Sequence, residues 1–271
     1  MQALRNFTRP YGRITALTAL FLYLAAAFIM VIGAAAGTAA AQDKITIAAA
    51  ADLTSALKEI AAGFEKDTRV KVTVSYGSTG MFDAQIRSGA PFDVFMAADA
   101  DTIEALKKDG LVLADTVKIY AFGKIVLVVN KNSGSAIKDL RGLLDPSVKR
   151  VAIANPAHAP YGRAAREALM AAGLWDGLKG KLVYGENIRQ ALQFVQTGNA
   201  QAGIVARSIS DTPEVSAIEI DASLYKPLTQ SAAVLGSSKA QGRAKEFIKY
   251  LTGPQGSVIL KKYGFTLPES R

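Results

Sequence analysis

Strand-like and helix-like segments alternate along most of this chain, and that alternation constrains its fold more than any other feature. Short apolar runs such as residues 44–50 and 151–154 are typical of buried strands. Segments such as residues 53–64 and 188–197 place their apolar residues at helical spacing. Strands that alternate with helices are typical of βαβ units, in which the strands pair in parallel. The sequence therefore predicts an α/β fold with mixed, mainly parallel sheets.

Size and composition narrow the class further. The length of 271 residues exceeds that of one typical domain and favours two lobes of roughly 100 residues each. Apolar residues make up 50% of the chain, which is enough for a packed core and excludes a disordered protein. The chain has no cysteine and a single histidine, His158, so disulfide frameworks, zinc clusters and thiol nucleophiles are excluded. The remaining polar chemistry is that of oxygens and amides.

The N-terminal segment has the features of an export signal. Arg5, Arg9 and Arg13 precede an apolar run over residues 14–36, and small residues follow up to Ala41. This order predicts a signal peptide over residues 1–41, with Gln42 as the first mature residue and the periplasm as the destination. The apolar run is also long enough to span a bilayer, so an uncleaved membrane anchor is the alternative.

The charge of the chain does not point to nucleic acid. The net charge is +9, and the three arginines of the N-terminal segment supply three of these charges. The longest basic runs outside that segment are pairs such as Lys107-Lys108 and Lys261-Lys262, with no aromatic residues between them. A stacking platform for single strands therefore has no support, and we expect no nucleic-acid partner.

Four places in the sequence share one local pattern, in which a strand ends in small residues, a short polar turn follows and a helix begins. They are residues 50–54, 77–80, 159–162 and 186–188. Ligands of α/β proteins gather at the carboxyl ends of strands, where helix N-termini offer unpaired amides. Four such turns around one cleft are suited to an anion.

Each candidate residue also has a purely structural interpretation. Asp52 is a good N-cap residue for a helix, and Ser78 and Thr79 are typical of turns. Tyr161 is equally compatible with packing at a lobe surface, and His158 with a hydrogen-bonded loop.

Metal and hydrolase chemistry have no support in the sequence. The aspartates at positions 93, 99, 101 and 109 fit no calcium loop, so we expect no bare metal cation. No G-x-S-x-G motif occurs, so a serine hydrolase is not supported. These residues therefore predict neither a metal site nor a serine-hydrolase site.

Several stretches together resemble a known family. They are residues 49–57, 75–80, 85–95, 155–162, 186–192, 203–205 and 253–265. In this order, across residues 43–267, they resemble the periplasmic molybdate-binding proteins of ABC importers, the ModA family. No single stretch is decisive, but the ordered set is specific.

The resemblance implies a two-lobed periplasmic-binding-protein fold of type II, the Venus flytrap. Lobe 1 would contain residues 42–122 plus 229–271, lobe 2 residues 123–228, and the chain would cross near Phe122 and near Lys226. It implies capture of molybdate or tungstate and delivery to an ABC permease. It implies no cofactor, and we expect a monomer.

A sensor adaptor with the same fold is an alternative function that the sequence does not separate from a transport protein. An enzyme on this fold, such as a porphobilinogen deaminase-like transferase, is disfavoured because the cysteine that attaches its cofactor is absent.

The resemblance also implies where the oxyanion binds. The serine positions of the family fall on Asp52 and Thr79, with Ser78 beside them, and its backbone amide donors fall on Tyr161 and Ile188. The position of the family's tyrosine hydroxyl falls on Ala206, which cannot donate.

Asp52 is the main departure from the family pattern, because it puts an acceptor carboxylate where a donor is expected. A bare carboxylate beside a dianion is costly. We therefore expect Asp52 to turn back and cap its own helix, near Arg207. The alternative is an inward-facing carboxylate, which would favour a protonated, phosphate-like oxyanion that can donate a proton to it, or a small organic anion.

Overall fold

The computed structural model describes residues 44–269, so the predicted signal peptide lies outside the described residues. Within these residues, ten strands form two five-stranded sheets with helices packed on them, which confirms the two-lobed α/β fold. The strands are β1 (Lys44–Ala50), β2 (Lys71–Gly77), β3 (Val94–Ala97), β4 (Lys118–Gly123), β5 (Ile125–Asn130), β6 (Val151–Ala154), β7 (Leu182–Gly185), β8 (Ala202–Ala206), β9 (Val215–Glu219) and β10 (Leu228–Val234). The α-helices are α1 (Thr54–Thr68), α2 (Thr79–Arg87), α3 (Ala100–Lys108), α4 (Pro160–Ala171), α5 (Trp175–Leu178), α6 (Ile188–Gln196), α7 (Gln241–Thr252) and α8 (Pro254–Lys262).

The first sheet has the strand order β2-β1-β3-β10-β4 and is covered on both faces. Successive side chains of a strand point to opposite faces. Ile47 accordingly packs into one apolar cluster with Phe64 of α1 and Phe247 of α7, whereas Ala48 packs into another with Phe82 of α2. Burial on both faces explains why β1 is an almost continuous apolar run rather than an alternating one.

The second sheet has the strand order β7-β6-β8-β5-β9 and forms the centre of the other lobe. Its core includes β5 and β6, which are entirely buried, together with α4 and α6. The buried side chains Leu169 of α4 and Leu192 of α6 belong to this same cluster.

The chain passes between the two sheets twice. β4 belongs to the first sheet and β5 to the second, with only Lys124 between them. β9 belongs to the second sheet and β10 returns to the first. The bonded pair Phe122 and Thr266 further ties the C-terminal end of the described chain to β4.

The pairing is more evenly mixed than the sequence predicted. β1 pairs in parallel with β2 and β3, and β6 with β7 and β8. β10 is antiparallel to β3 and β4, and β5 is antiparallel to β8 and β9. The strands β4 and β9 were not among the predicted elements. Both are edge strands that mix exposed and buried residues, so they lack the apolar run by which buried strands are recognised.

The helices between residues 44 and 269 are all too short or too polar to cross a membrane.

Candidate functional site

The turns that follow β1, β2, β6 and β7 meet at one small cavity. β1 and β2 end in register, with Ala50 beside Gly77, and β6 and β7 likewise end with Ala154 beside Gly185. The cavity has a volume of about 10 Å³, roughly the space for one water molecule. Its lining includes all five residues predicted to bind the oxyanion, namely Asp52, Ser78, Thr79, Tyr161 and Ile188. The structure thus brings together residues that lie as far apart in sequence as 52 and 188.

Three helices begin at this cavity. Ser78 is the N-cap of α2, and its hydroxyl accepts a hydrogen bond from the Met81 backbone. α4 begins with Pro160, a residue suited to the first helical position because it lacks an N–H. Asn187 caps α6, and its side chain accepts from the N–H groups of Arg189 and Gln190 but not from that of Ile188. The first N–H groups of a helix have no acceptor within the helix, so these helix starts provide donors at the cavity.

Asp52 is fully buried at the centre of a hydrogen-bond network that joins the two lobes. The Tyr161 hydroxyl donates to Asp52 Oδ2 at 2.9 Å, and Gln230 Nε2 donates to the same oxygen at 3.0 Å. The Ser208 hydroxyl donates to the Asp52 backbone carbonyl at 2.8 Å. The other carboxyl oxygen, Oδ1, is buried and has no hydrogen-bond partner.

The prediction that Asp52 caps its own helix is wrong. Neither the helical turn Ala51–Leu53 nor α1 has a side-chain cap, and the Asp52 carboxyl group instead bonds across the cleft to Tyr161. Arg207 does not contact it, and pairs with Glu219 at 3.3 Å. The capping interpretation failed because the tertiary fold brings two side-chain donors, Tyr161 and Gln230, to the carboxyl group.

The surroundings of Asp52 also change its acidity. Burial away from water raises the pKa of Asp52 to about 7, although hydrogen bonds from Tyr161, its own backbone and Gln230 act in the opposite direction. The pKa of Tyr161 lies well above its usual value because of burial and the neighbouring Asp52. This phenol therefore stays a neutral donor near pH 7.

Further buried polar residues hold the partners of Asp52 in place, and the sequence did not indicate them. The hydroxyl of Tyr120 donates to Gln230 Oε1 at 3.2 Å, which orients the amide toward Asp52. Gly123 passes so close to the Tyr161 hydroxyl and to Gln230 that an added Cβ would collide with the phenol. Gln230 lies between Thr229 and Ser231 in the polar first half of β10, so no local sequence signal indicates that its side chain is buried.

The two hydroxyls of the α2 turn differ in what they bond. Ser78 Oγ lies 2.9 Å from His158 Nδ1, and His158 Nε2 lies 3.6 Å from Glu186 Oε2. Thr79 Oγ1 accepts from the Ala98 backbone at 3.0 Å, which leaves its own O–H group as a donor. His158 is therefore the hydrogen-bonded loop residue that the sequence indicated, and its partner is a residue of the candidate site.

The remaining sequence candidates have structural roles. Ala206 is buried at the end of β8 and contributes no donor. Asp99 caps α3 and pairs with Arg163 of α4 at 2.6 Å. Asp109 pairs with Arg87 at 2.6 Å. Across residues 44–269, no group of three or more histidine, aspartate or glutamate side chains is arranged to hold a metal ion.

Comparison with known proteins identifies the family. The model of the bacterial extracellular solute-binding proteins matches residues 45–266. The molybdate-binding protein ModA of Azotobacter vinelandii is 41% identical over 245 residues, which cover 88% of this chain and 96% of the relative. The chain belongs to the ModA family. ModA of Rhodobacter capsulatus is 36% identical, with 89% of this chain and 94% of the relative covered.

The solved structures agree with this membership of the ModA family. The periplasmic molybdate-binding protein of Azotobacter vinelandii superposes with a TM-score of 0.78 at 30% identity, covering 83% of this chain and all of that one. The resemblance drawn from the ordered motifs is therefore confirmed, as is the type II fold that it implied.

Proposed function

We propose that this protein captures molybdate or tungstate in the periplasm and delivers it to the permease of an ABC importer. The proposal follows from membership of a family whose relatives are named molybdate-binding proteins. One observation of this chain carries it. Residues from four separate turns and both lobes line a single small cavity with hydroxyl groups and helix N-termini.

These groups are suited to a multiply charged tetrahedral anion. Thr79 offers a hydroxyl, while Tyr161 and Ile188 lie in the first turns of α4 and α6, where backbone N–H groups lack partners within the helix. Helix N-termini stabilise anions through these amides and the positive end of the helix dipole. The site thus neutralises an oxyanion with oriented dipoles rather than with a bare cation.

The lobes would have to separate for a ligand to enter. A cavity of about 10 Å³ is smaller than a tetrahedral oxyanion, and Tyr161, His158 and Arg163 of one lobe are bonded to residues of the other. We place lobe 1 at residues 42–122 plus 229–271 and lobe 2 at residues 123–228. The hinge then falls at the two crossings between the sheets.

Other properties follow from this function. The protein would act as a monomer, with the oxyanion and the membrane permease as its partners and no nucleic acid. It would perform no covalent chemistry and need no cofactor. Residues 1–41 would direct export, with an uncleaved membrane anchor as the alternative.

A second candidate ligand is favoured by the carboxyl group in the cavity. An ionised Asp52 would accept a hydrogen bond from a protonated oxyanion such as hydrogen phosphate, or from a small organic anion, and would repel molybdate. The unpartnered Oδ1 is the atom at which this would occur.

Thermal unfolding in the presence of different oxyanions tests both candidates. Molybdate at about a hundred times its Kd is expected to stabilise the folded state by about 2.7 kcal/mol. For a chain of this size the melting temperature would rise by roughly 5–10 °C. Tungstate should act alike, with sulfate and phosphate as comparison ligands. A shift with phosphate and none with molybdate would contradict the proposal and favour the second candidate.

A further inference from the structure

We propose that Asp52 binds the oxyanion as a neutral carboxylic acid, with the Oδ1–H group donating a hydrogen bond to the ligand. This inference rests on the proposed function and specifies the chemistry of its site. It assigns to Asp52 the donor role that a serine hydroxyl has at this position of the family pattern.

The hydrogen bonds of the carboxyl group distinguish its two oxygens. Oδ2 accepts from both Tyr161 and Gln230, at 2.9 and 3.0 Å. Oδ1 lies in the interior without any partner, and Asp52 is part of the cavity lining. A protonated carboxyl group has one acceptor oxygen and one hydroxyl. Two donors on Oδ2 leave the proton to Oδ1, the atom free to contact a ligand.

The cost of burial favours the same state. Asp52 is fully buried, and within the described part of the chain the groups that act on its carboxyl group are Tyr161, Gln230 and its own backbone, none of which is a cation. An isolated ionised carboxylate is very unfavourable in such a place, and the group responds by retaining a proton. Burial accordingly raises the pKa of Asp52 to about 7. A dianion bound beside it would raise this pKa further through like-charge repulsion.

The other titratable and charged groups around Asp52 do not account for a proton taken up on binding. Tyr161 bonds to Asp52 directly, Tyr120 reaches it through Gln230, and His158 contacts Ser78 of the same cavity. The helices and turns packed against the Asp52 turn carry these charged residues: Lys58, Glu59, Glu65, Lys66 and Asp67 of α1, Arg189 of α6, and Arg207. Burial keeps the pKa of both tyrosines well above 10, so they stay neutral. Arginines keep their charge at every pH of interest. His158 contacts Ser78 of the cavity, so it is given its own control variant.

Binding is then coupled to protons. At a pH above the pKa that Asp52 has in the unliganded protein, the carboxylate takes up one proton from solvent when molybdate binds. The affinity for molybdate therefore falls as the pH rises. With a pKa of about 7, the apparent Kd is expected to be about eight-fold higher at pH 8 than at pH 6.5, and then to rise about ten-fold per pH unit.

Titration calorimetry of the purified protein with molybdate, between pH 6.5 and 9, tests the inference. Titrations at pH 8 in buffers of different ionisation enthalpy should show uptake of about 0.9 proton per molybdate bound. This measurement needs no variant, so it stands even if substitutions at Asp52 impair folding.

Two variants assign the proton to its residue. Asp52→Asn keeps a donor at this position but cannot titrate, so its Kd should be nearly constant from pH 6.5 to 9. His158→Gln removes the imidazole that contacts Ser78 and should keep the steep pH dependence. Loss of that dependence in His158→Gln would overturn the assignment to Asp52.

The outcomes separate the inference from the function on which it rests. The inference alone would be overturned if molybdate bound tightly without proton uptake and its Kd did not change with pH in either the wild type or Asp52→Asn. Phosphate affinity that rises more steeply with pH in the wild type than in Asp52→Asn would show an ionised Asp52 acting as an acceptor, and would also overturn the inference. Failure of the wild type and Asp52→Asn to bind molybdate at pH 6.5 would overturn both.

Discussion

Single residues set the charge balance of this cleft. A carboxyl group where an anion binds is tolerable only if it is neutral, and Asp52 is placed so that burial favours the neutral form. Tyr161 and Gln230 hold one oxygen without supplying a positive charge. An ionised aspartate could not donate a hydrogen bond to an oxyanion. Burial keeps the Asp52 side chain neutral, and the neutral acid can act as that donor.

Asp52 is expected to make the stability of the unliganded protein depend on pH. In the folded state the carboxyl group keeps its proton up to about pH 7, whereas its ordinary pKa is 3.8. The folded state thus binds more protons than the unfolded state between these values, and the free energy of unfolding falls as the pH rises through this window. The total loss is about 4 kcal/mol, at about 1.4 kcal/mol per pH unit.

Urea unfolding of the wild type and of Asp52→Asn from pH 4.5 to 8.5 measures this loss. As the pH rises to about 7, the wild type should lose stability relative to Asp52→Asn. Above that pH the difference between their free energies of unfolding should stay constant. Parallel stability curves for the two proteins would show that Asp52 is not perturbed in the folded state.

Helix starts are the elements that provide the backbone donors of the site. Asn187 precedes α6 in an extended conformation, and its side chain accepts from the N–H groups of Arg189 and Gln190 but not from that of Ile188. The proposed site uses this Ile188 N–H group as a donor to the ligand. This arrangement needs a polar cap residue, here Asn187, followed by an apolar residue that anchors the first turn of the helix. Ile188 is that apolar residue, and its side chain is buried. The element thus combines packing of a side chain with presentation of its own amide.

Replacing Ile188 by proline tests the amide donor. Proline fits the first position of a helix, and the extended Asn187 is compatible with a following proline. The fold should persist, with some stability lost because the buried isoleucine is removed. Loss of a hydrogen bond to a charged ligand costs about 1.5–3 kcal/mol, so calorimetry should show molybdate affinity reduced by at least about ten-fold.

Leu140→Pro is a matched control for this substitution. Leu140 also begins a helical turn after an extended aspartate cap, Asp139, and it is not part of the cavity lining. Its replacement should lower stability and leave molybdate affinity unchanged. Equal losses of affinity in both variants would mean that the Ile188 amide has no specific role.

At the scale of the whole molecule, contacts between the lobes hold the cleft closed. Besides the bonds of Asp52, they include the Gly80 backbone N–H donating to the His158 carbonyl at 2.9 Å. The ion pair between Arg163 Nη2 and Asp99 Oδ2, at 2.6 Å, joins α4 on the second sheet to the start of α3 on the first. Ligand affinity in a hinged protein includes the free energy of closure, so these contacts contribute to it.

Arg163→Ala is therefore expected to weaken ligand binding without contacting the ligand. Partly exposed ion pairs contribute about 0.2–1 kcal/mol, so the Kd for molybdate should rise by up to about five-fold. Arg87→Ala is the matched control, because Arg87 pairs with Asp83 and Asp109 of its own lobe. That variant should change the melting temperature rather than the Kd. An unchanged Kd in Arg163→Ala would contradict a role of this pair in closure.

Much of the fold was predictable because its core strands are buried on both faces. β1, β5 and β6 are continuous apolar segments, and helices such as α1 and α6 show helical spacing. β4 and β9 escaped prediction because they have neither a continuous apolar run nor a regular alternation of buried and exposed residues. The antiparallel part of each sheet thus appeared only when tertiary pairing was known.

By itself, the sequence determined the family, the α/β class and the five residues now found around one cavity, since strand ends and helix starts are local patterns. Only the tertiary structure decided what Asp52 bonds. Its partners Tyr161 and Gln230 lie 109 and 178 residues away, and no local pattern encodes such contacts. The ionisation of a carboxyl group depends on burial and distant donors, and these exist only once the two lobes have come together.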